Sequence, residues 1–160
     1  MWLILTGIAL AGKWDGVNAD IVAHTTVSAS PAAIYAFLSD VRNYRKIVPI
    51  DCVGWWEDGS QTTGIGASAE LRYDMGAMHR RLQLNISAAS ERYVDYDHPG
   101  NKGFTTRFLI TPGEAGTVID LTTAMNPPPR IVRGYYYRVV KPEWEGCQAR
   151  TLTALSDALK

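Results

Sequence analysis

The middle of the chain alternates apolar and polar side chains with a period of two, and turn residues such as Asp58-Gly59 and Pro112-Gly113 interrupt the alternation. This pattern is typical of half-buried β-strands joined by tight turns. It predicts six successive strands near residues 51–58, 65–75, 78–88, 91–97, 103–111 and 117–125. Since no helix-length segment separates these strands, we expect an antiparallel meander.

One strand and two short helices are predicted before the meander. Residues 21–27 are rich in β-branched side chains and indicate a strand. Ser30-Pro31 is typical of a helix start, because a serine side chain caps the first backbone N–H groups and proline suits the first turn. A second short helix is expected over residues 41–47, ended by Pro49.

A long helix is predicted after the last strand. Residues 126–129 read Asn-Pro-Pro-Pro, and because proline cannot donate a ladder hydrogen bond, the sheet should end there. Pro142 should kink or restart the helix. The apolar stripe of this helix is formed by Ile131, Tyr135, Val139, Trp144, Cys147, Leu152, Leu155 and Leu159. The predicted fold class is therefore α+β.

The stretch from Val27 to Tyr44, VSASPAAIYAFLSDVRNY, resembles the opening of the SRPBCC (START/Bet v 1-like) superfamily, in particular its polyketide cyclase/dehydrase and lipid-transport group. The order of the predicted elements is that of the helix-grip fold of this superfamily. The resemblance covers roughly residues 20–160. It implies a seven-stranded curved antiparallel sheet around a cavity closed by the long C-terminal helix. It does not select a function, since the superfamily includes lipid carriers, quinone-binding proteins, aromatases and plant hormone receptors.

Strand parity predicts which side chains line this cavity, because neighbouring residues of a strand point to opposite faces. On the strand at 78–88, Arg80 shares its parity with Leu82 and Leu84. Arg80 would then be a charge that points inward near a sheet end, where it could bind an acidic ligand group through two hydrogen bonds. The alternative is that it reaches out to solvent or pairs with Glu70 or Asp95.

The candidate cavity residues come from several elements. Trp55 and Trp56 must face opposite ways, and Trp55 is the one in phase with Val53. The full set is Trp55, Leu71, Tyr73, Arg80, Leu82, Leu84, Tyr96, Phe108, Leu121, Ile131 and Tyr135. Such mostly apolar walls suit an acyl chain, a quinone or a polycyclic ring, although a purely structural core role is the alternative for every aromatic in the set.

The distribution of charge argues against nucleic acid as a partner and suggests a local contact with an anionic surface or ligand. Acidic and basic residues balance at 16 each, which removes the broad positive field of nucleic-acid-binding proteins. No acidic residue occurs between Leu121 and Pro142, where four cations are interleaved with three tyrosines. Those cations are Arg130, Arg133, Arg138 and Lys141. They indicate either contact with an anionic membrane or an acidic ligand, or an ordinary solvated helix face.

The sequence contains no arrangement of a nucleophile with a base and no metal-ligand spacing, so no cofactor or metal is expected. The three histidines, His24, His79 and His98, are interpreted as structural or exposed. The first hypothesis is binding or transport of a hydrophobic small molecule. The alternative is a polyketide cyclase/aromatase-type enzyme using Arg80, Tyr73 or Tyr96, and the third is a peripheral membrane protein that presents lipid or quinone.

The N-terminal residues raise the question of compartment. Trp2 to Ala11 is an apolar run that is too short to span a bilayer and ends in an Ala-Leu-Ala resembling a cleavage site, without a preceding basic segment. It is interpreted either as an export signal or as a first strand, so residues 1–19 are treated as a lead-in and 20–160 as the domain. Export would place the protein in a periplasmic or extracellular space, and its absence would place it in the cytoplasm.

The two cysteines, Cys52 and Cys147, are either buried thiols or one bridge, depending on that compartment. The helix-grip fold implies that Cys52, after the short helices, lies near the later half of the terminal helix, which carries Cys147. A bridge there would close a loop of almost a hundred residues. The oligomeric state is left open by the sequence.

Overall fold

A seven-stranded antiparallel sheet forms the framework of the protein. The structure is a computed structural model that describes residues 19–75, 78–99, 104–124 and 129–160. The strands are β1 Ala19–Val27, β2 Val53–Asp58, β3 Ser68–Met75, β4 Met78–Ser90, β5 Tyr93–Asp97, β6 Thr105–Gly113 and β7 Gly116–Ala124. Their order in the sheet is β1-β7-β6-β5-β4-β3-β2, so the predicted meander is confirmed, with the first strand paired to the last. The N-terminal run, interpreted either as an export signal or as a first strand, lies outside the described residues.

Two short helices follow β1, and a long helical region ends the chain. The short helices are α1 Pro31–Leu38 and α2 Val41–Ile47, and the terminal region comprises a 3-10 turn Arg130–Val132, α3 Arg133–Tyr135, a π-helix Tyr136–Val140 and α4 Lys141–Ala158. The Ser30 hydroxyl accepts the Ala33 N–H at 3.2 Å, as the predicted N-cap requires. None of the described helices is long and apolar enough to cross a membrane.

The helices pack on one face of the curved sheet, which we call the inner face. Helix α4 lies against β1 and α2, while α1 lies against β5 and β6. Ile34 and Leu38 of α1 and Leu152 and Leu155 of α4 are buried in one apolar cluster with the inner-face strand residues. The predicted helix-grip architecture is therefore confirmed.

Besides an irregularity at the start of β1, two β-bulges change the alternation of side chains along the described strands. One lies in β2 between Val53 and Trp55, and the other lies in β4 between Ile86 and Ala88. A bulge adds one residue to one strand, which bends that strand and reverses the parity of every residue beyond it. A face deduced by counting along β2 is therefore wrong after Gly54.

A disulfide joins the start of β2 to α4. Cys52 and Cys147 are bonded, with 6.1 Å between their Cα atoms, and they are 95 positions apart in the sequence. Beside the bridge, Arg150 Nη2 lies 2.9 Å from Asp51 Oδ2, so an ion pair connects the same two parts of the chain. The terminal helix is thus held covalently on the inner face, at the end of the sheet where α2 leads into β2.

A buried ion pair joins β5 and β6 on the face opposite the helices. Asp95 and Arg107 are register partners whose parity is opposite to that of the inner-face residues Tyr96 and Thr106. Both Asp95 oxygens lie 2.6 Å from the Arg107 guanidinium, bound to Nε and Nη2. Asp95 thus forms its ion pair with Arg107, and the alternative in which it pairs with Arg80 is wrong.

Candidate functional site

The candidate site is the space between the inner face of the sheet and the terminal helical region. Five of the residues that parity assigned to this space are buried there, namely Leu71, Leu82, Leu84, Phe108 and Leu121. They belong to the same apolar cluster as Trp144, Leu152 and Leu155 of α4. Their role in holding a ligand remains a prediction, since a buried apolar wall serves a core equally well.

Tyr73 lies at the centre of an aromatic group that fills part of this space. Its ring centroid is 4.9 Å from that of Trp144 and 6.5 Å from that of Phe104. The Trp144 and Phe104 rings meet edge to face at 4.9 Å. Such edge and offset contacts are favourable for aromatic rings, so strand β3, strand β6 and helix α4 are tied together through Tyr73.

Two further tyrosines place their hydroxyl groups in the interior. Tyr96, a candidate acid, stacks on Tyr44 at 4.7 Å and donates its hydroxyl hydrogen to the Leu38 carbonyl, which anchors α1 on the sheet. Burial raises the pKa of Tyr44 to about 12 and raises the pKa of Tyr73 and Tyr96 well above 10. All three phenols therefore stay protonated at neutral pH and act as hydrogen-bonding groups.

Arg80 does not reach the interior. It is the register partner of Tyr73 and so shares the inner parity, but it lies near the end of the sheet and is exposed. A long cationic side chain at a sheet end reaches water at little cost, which is the alternative that the sequence left open. Its placement makes it a residue of the rim rather than a binding group within the core.

Trp55 lies on the outer face, not on the predicted inner face. The bulge after Val53 reverses its parity, so it pairs with Arg72, and the Arg81 guanidinium lies 4.8 Å from its ring centroid. Trp56 takes the inner position and packs against Tyr44 with a centroid distance of 6.1 Å. Arg81 also lines an open groove of about 540 Å³ on the charged outer face.

Ile131 and Tyr135 are exposed, whereas the helical stripe predicts that they point inward. The buried positions of this region are Tyr136 and Val140, one residue further along the chain in each case than the predicted Tyr135 and Val139. Tyr136 and Val140 lie eight and four residues before the buried Trp144 and so share its side of the helix, whereas the predicted Val139 lies five residues before it. From Trp144 onward the helix is regular, and the predicted Trp144, Leu152 and Leu155 are buried.

A polar cluster that the sequence did not reveal lies between β6, β7 and α4. The Thr106 and Thr123 hydroxyl oxygens are 3.1 Å apart, and the Gln148 Nε2 amide group donates to Thr123 Oγ1. Gln148 is 4% exposed, and its Oε1 atom has no hydrogen-bond partner among the described residues. The signal for Gln148 was its spacing, four residues from both Trp144 and Leu152, which places it on the buried stripe.

This cluster borders a small void. The void measures about 20 Å³ and is lined by Tyr44, Val48, Cys52, Tyr73, Thr106, Leu121, Trp144, Cys147, Gln148 and Thr151. A volume of this size holds a group as large as one water molecule. Such a group would meet the Tyr44 and Tyr73 hydroxyls, which can donate a hydrogen, and Gln148 Oε1, which can accept one.

His98 is a second buried polar group that the sequence analysis did not assign to the interior. It is 2% exposed, its ring stacks on Phe104 at 4.2 Å, and its Nδ1 lies 3.2 Å from the Gln83 carbonyl oxygen. With Nδ1–H donating to that carbonyl, Nε2 is an acceptor, and it has no partner among the described residues. Burial is the main reason that the pKa of His98 falls from 6.5 to about 3, and the charge of Arg80 acts in the same direction.

Within residues 19–75, 78–99, 104–124 and 129–160, no three His, Cys, Asp or Glu side chains come together in a way that could hold a metal ion. What the interior offers instead is neutral hydrogen-bonding groups set in apolar walls. Such a site can orient a largely apolar molecule through a hydroxyl or an amine N–H.

No protein-family model and no curated protein sequence matches the chain. Solved structures match its fold, among them the solution structure of KanY protein, with a TM-score of 0.77 and 18% identity over 90% of this chain and 98% of that one. Major latex-like protein 151 from Panax ginseng matches with a TM-score of 0.61 and 7% identity over 87% and 95% of the two chains. The di-domain ARO/CYC StfQ from the steffimycin biosynthetic pathway matches with a TM-score of 0.62 and 13% identity over 91% of this chain and 52% of that one.

At these identities the likeness shows the fold alone. The architecture and its solved neighbours together show that the chain has the helix-grip fold.

Proposed function

We propose that this domain binds a small hydrophobic molecule between the inner face of the sheet and the terminal helical region, and that it serves as a carrier or binding protein. The observation that carries this proposal is the pair of buried acceptors, Gln148 Oε1 and His98 Nε2, which lack a partner among the described residues. A buried polar atom without a partner costs about 1–3 kcal/mol. A ligand hydroxyl or amine would recover part of that free energy.

The entry route for the bulk of the ligand follows from packing. Every described residue from 129 to 135 is exposed, so the start of the terminal helical region buries little surface against the core. Beyond it, the disulfide holds α4 through Cys147. The segment before the π-helix is therefore the part of the helical region that opens most easily.

The test begins with native mass spectrometry of protein purified from its own host, followed by denaturing extraction of bound molecules. We expect a stoichiometric, largely apolar compound that carries a hydrogen-bond donor. Gln148→Leu should reduce its affinity about tenfold, because one hydrogen bond to the ligand is lost. Gln83→Leu, a change on the outer surface of β4, is the matched control and should leave the affinity unchanged. Extraction that yields no compound, with no saturable binding of fatty acids, quinones or polycyclic phenols, would refute the proposal.

A polyketide cyclase/aromatase-type activity is the second candidate, favoured by the likeness to the ARO/CYC di-domain. The protonation states of the buried groups at neutral pH favour a carrier over an enzyme. Phenols with raised pKa values remain protonated, and an imidazole with a pKa of about 3 is a weak base at neutral pH. Cyclisation of a poly-β-keto substrate that disappears in Tyr73→Phe, while binding of the unreacted substrate persists, would favour the enzyme instead.

A further inference from the structure

The exposed apolar side chains of the protein are concentrated in one short stretch. Seven large hydrophobic residues are exposed in the described part of the chain, and four of them fall between residues 131 and 137. These are Ile131, Val132, Tyr135 and Tyr137. Ile131 is 92% exposed. A cluster of this kind marks a contact surface, whereas single exposed hydrophobics elsewhere need no explanation.

The same stretch carries an excess of positive charge. Arg130, Arg133 and Arg138 are all exposed, and none of the three forms an ion pair with the described acidic residues. No acidic residue occurs from Leu121 to Pro142, although the chain as a whole has no net charge. Lys141, by contrast, pairs with Glu145 on α4, so the unneutralised charge lies on the residues before α4.

The backbone gives this stretch a projecting position. Residues 129–135 form a 3-10 turn and a turn of α-helix with no buried side chain, and the chain returns to the core only at Tyr136 and Val140. Those two buried residues fix the base of the stretch to the core. The stretch from 130 to 138, which we call the docking segment, is therefore a helical projection that combines apolar, tyrosine and arginine side chains.

We infer that the docking segment binds the surface of an anionic phospholipid membrane. Isoleucine and valine side chains insert at the boundary of the acyl chains, and tyrosine is enriched at the level of the headgroups. Arginine pairs with lipid phosphates. The charge of the segment is complementary to such a surface and not to a zwitterionic one. Because the segment leads directly into α4, this contact would place the inner face of the sheet next to the lipid.

The test is co-sedimentation with vesicles of phosphatidylcholine alone and with vesicles that also contain phosphatidylglycerol. We expect binding to the anionic vesicles that weakens as sodium chloride is added. Ile131→Ser with Tyr135→Ser should weaken this binding at least about tenfold, and so should Arg130→Gln with Arg133→Gln. All four positions are exposed, so the melting temperature of each variant should be unchanged. An unchanged melting temperature separates weaker vesicle binding from loss of folding.

The matched controls are exposed residues of the same types elsewhere in the chain. Ile50→Ser with Ile65→Ser, and Arg45→Gln with Arg92→Gln, should leave vesicle binding unchanged. Any of three outcomes would overturn the inference. The first is that the wild-type protein fails to sediment with anionic vesicles. The second is that the control variants weaken binding as much as the segment variants do, and the third is that phosphatidylcholine vesicles bind the protein equally well.

Discussion

His98 shows how one buried side chain sets a pH dependence. In the folded protein its Nδ1 lies 3.2 Å from the Gln83 carbonyl oxygen, its ring packs on Phe104, and the side chain is shielded from bulk solvent. Burial thus lowers its pKa from 6.5 to about 3. Because the folded-state value is the lower one, the unfolded chain binds a proton first as the pH falls. Stability from this group is present above pH 6.5 and is lost progressively as the pH falls towards 3.

We therefore predict that acidification from pH 7 to pH 5 removes about 2 kcal/mol of the free energy of unfolding through His98. Urea unfolding at the two pH values measures the loss in the wild-type protein and in His98→Gln, and the difference between them isolates this residue. His24→Asn, a change at an exposed histidine, is the control and should keep the wild-type pH dependence. An equal loss in the wild-type protein and His98→Gln would show that His98 is not the group responsible.

At the scale of elements, the join between β5 and β6 depends on a buried charge pair as well as on backbone hydrogen bonds. Arg107 also stacks over the Tyr93 ring at 4.7 Å, so its position is held by two contacts besides the ladder. Removing one member of a buried ion pair leaves an uncompensated charge, which costs about 3–5 kcal/mol. A single substitution at Asp95 or Arg107 should therefore lower the free energy of unfolding through the join between β5 and β6.

Asp95→Asn is predicted to lower the free energy of unfolding by about 3–5 kcal/mol. Chemical denaturation at neutral pH measures the change. Asp157→Asn removes the carboxylate from the exposed pair with Lys160 and should change stability by less than about 1 kcal/mol. If the two substitutions had equal effects, the charge pair would contribute no more than a surface one.

At the scale of the whole molecule, the disulfide restrains the unfolded chain more than any local contact does. It connects residues that are 95 positions apart, and a loop of this length loses conformational entropy equivalent to about 4–5 kcal/mol when it is closed. The terminal helix also packs through Leu152 and Leu155, so the fold retains its core contacts without the bridge. We expect the reduced protein to fold with a lower stability.

The prediction is that reduction by dithiothreitol lowers the free energy of unfolding by about 4 kcal/mol. Urea unfolding with and without the reductant measures this difference. The double variant Cys52→Ala, Cys147→Ala should match the reduced wild-type protein and show no further response to dithiothreitol. A double variant as stable as the oxidised protein would contradict the argument from loop entropy.

Local patterns along the sequence were sufficient to predict the order of the elements. Period-two alternation, the Ser30-Pro31 cap and the proline-rich end of the sheet each depend on a few neighbouring residues, and α1, α2 and the seven strands lie close to their predicted positions. The buried parity of Leu82, Leu84 and Phe108 followed from the same alternation. The order of the elements was therefore accessible from local patterns, whereas their helix-grip arrangement was implied by the resemblance of residues 27–44.

The candidate site depended on features that no local pattern reports. The bulge in β2 moved Trp55 to the outer face, and burial falls on Tyr136 and not on Tyr135 where the π-helix begins. Both are one-residue shifts that follow from how the elements fit together. Counting along the chain assumes regular geometry, so it is wrong wherever packing makes the backbone irregular.

The sequence by itself determined the fold class, the order of the strands and helices, and most of the apolar inner face. Only the tertiary structure decided that His98 is buried, that Gln148 bonds Thr123, and that Cys52 meets Cys147. Each of these facts joins residues at least 15 positions apart in the chain, or depends on burial by such residues. The physical reason is that hydrogen bonds, burial and disulfides depend on distance in space, which the sequence expresses only after the chain has folded.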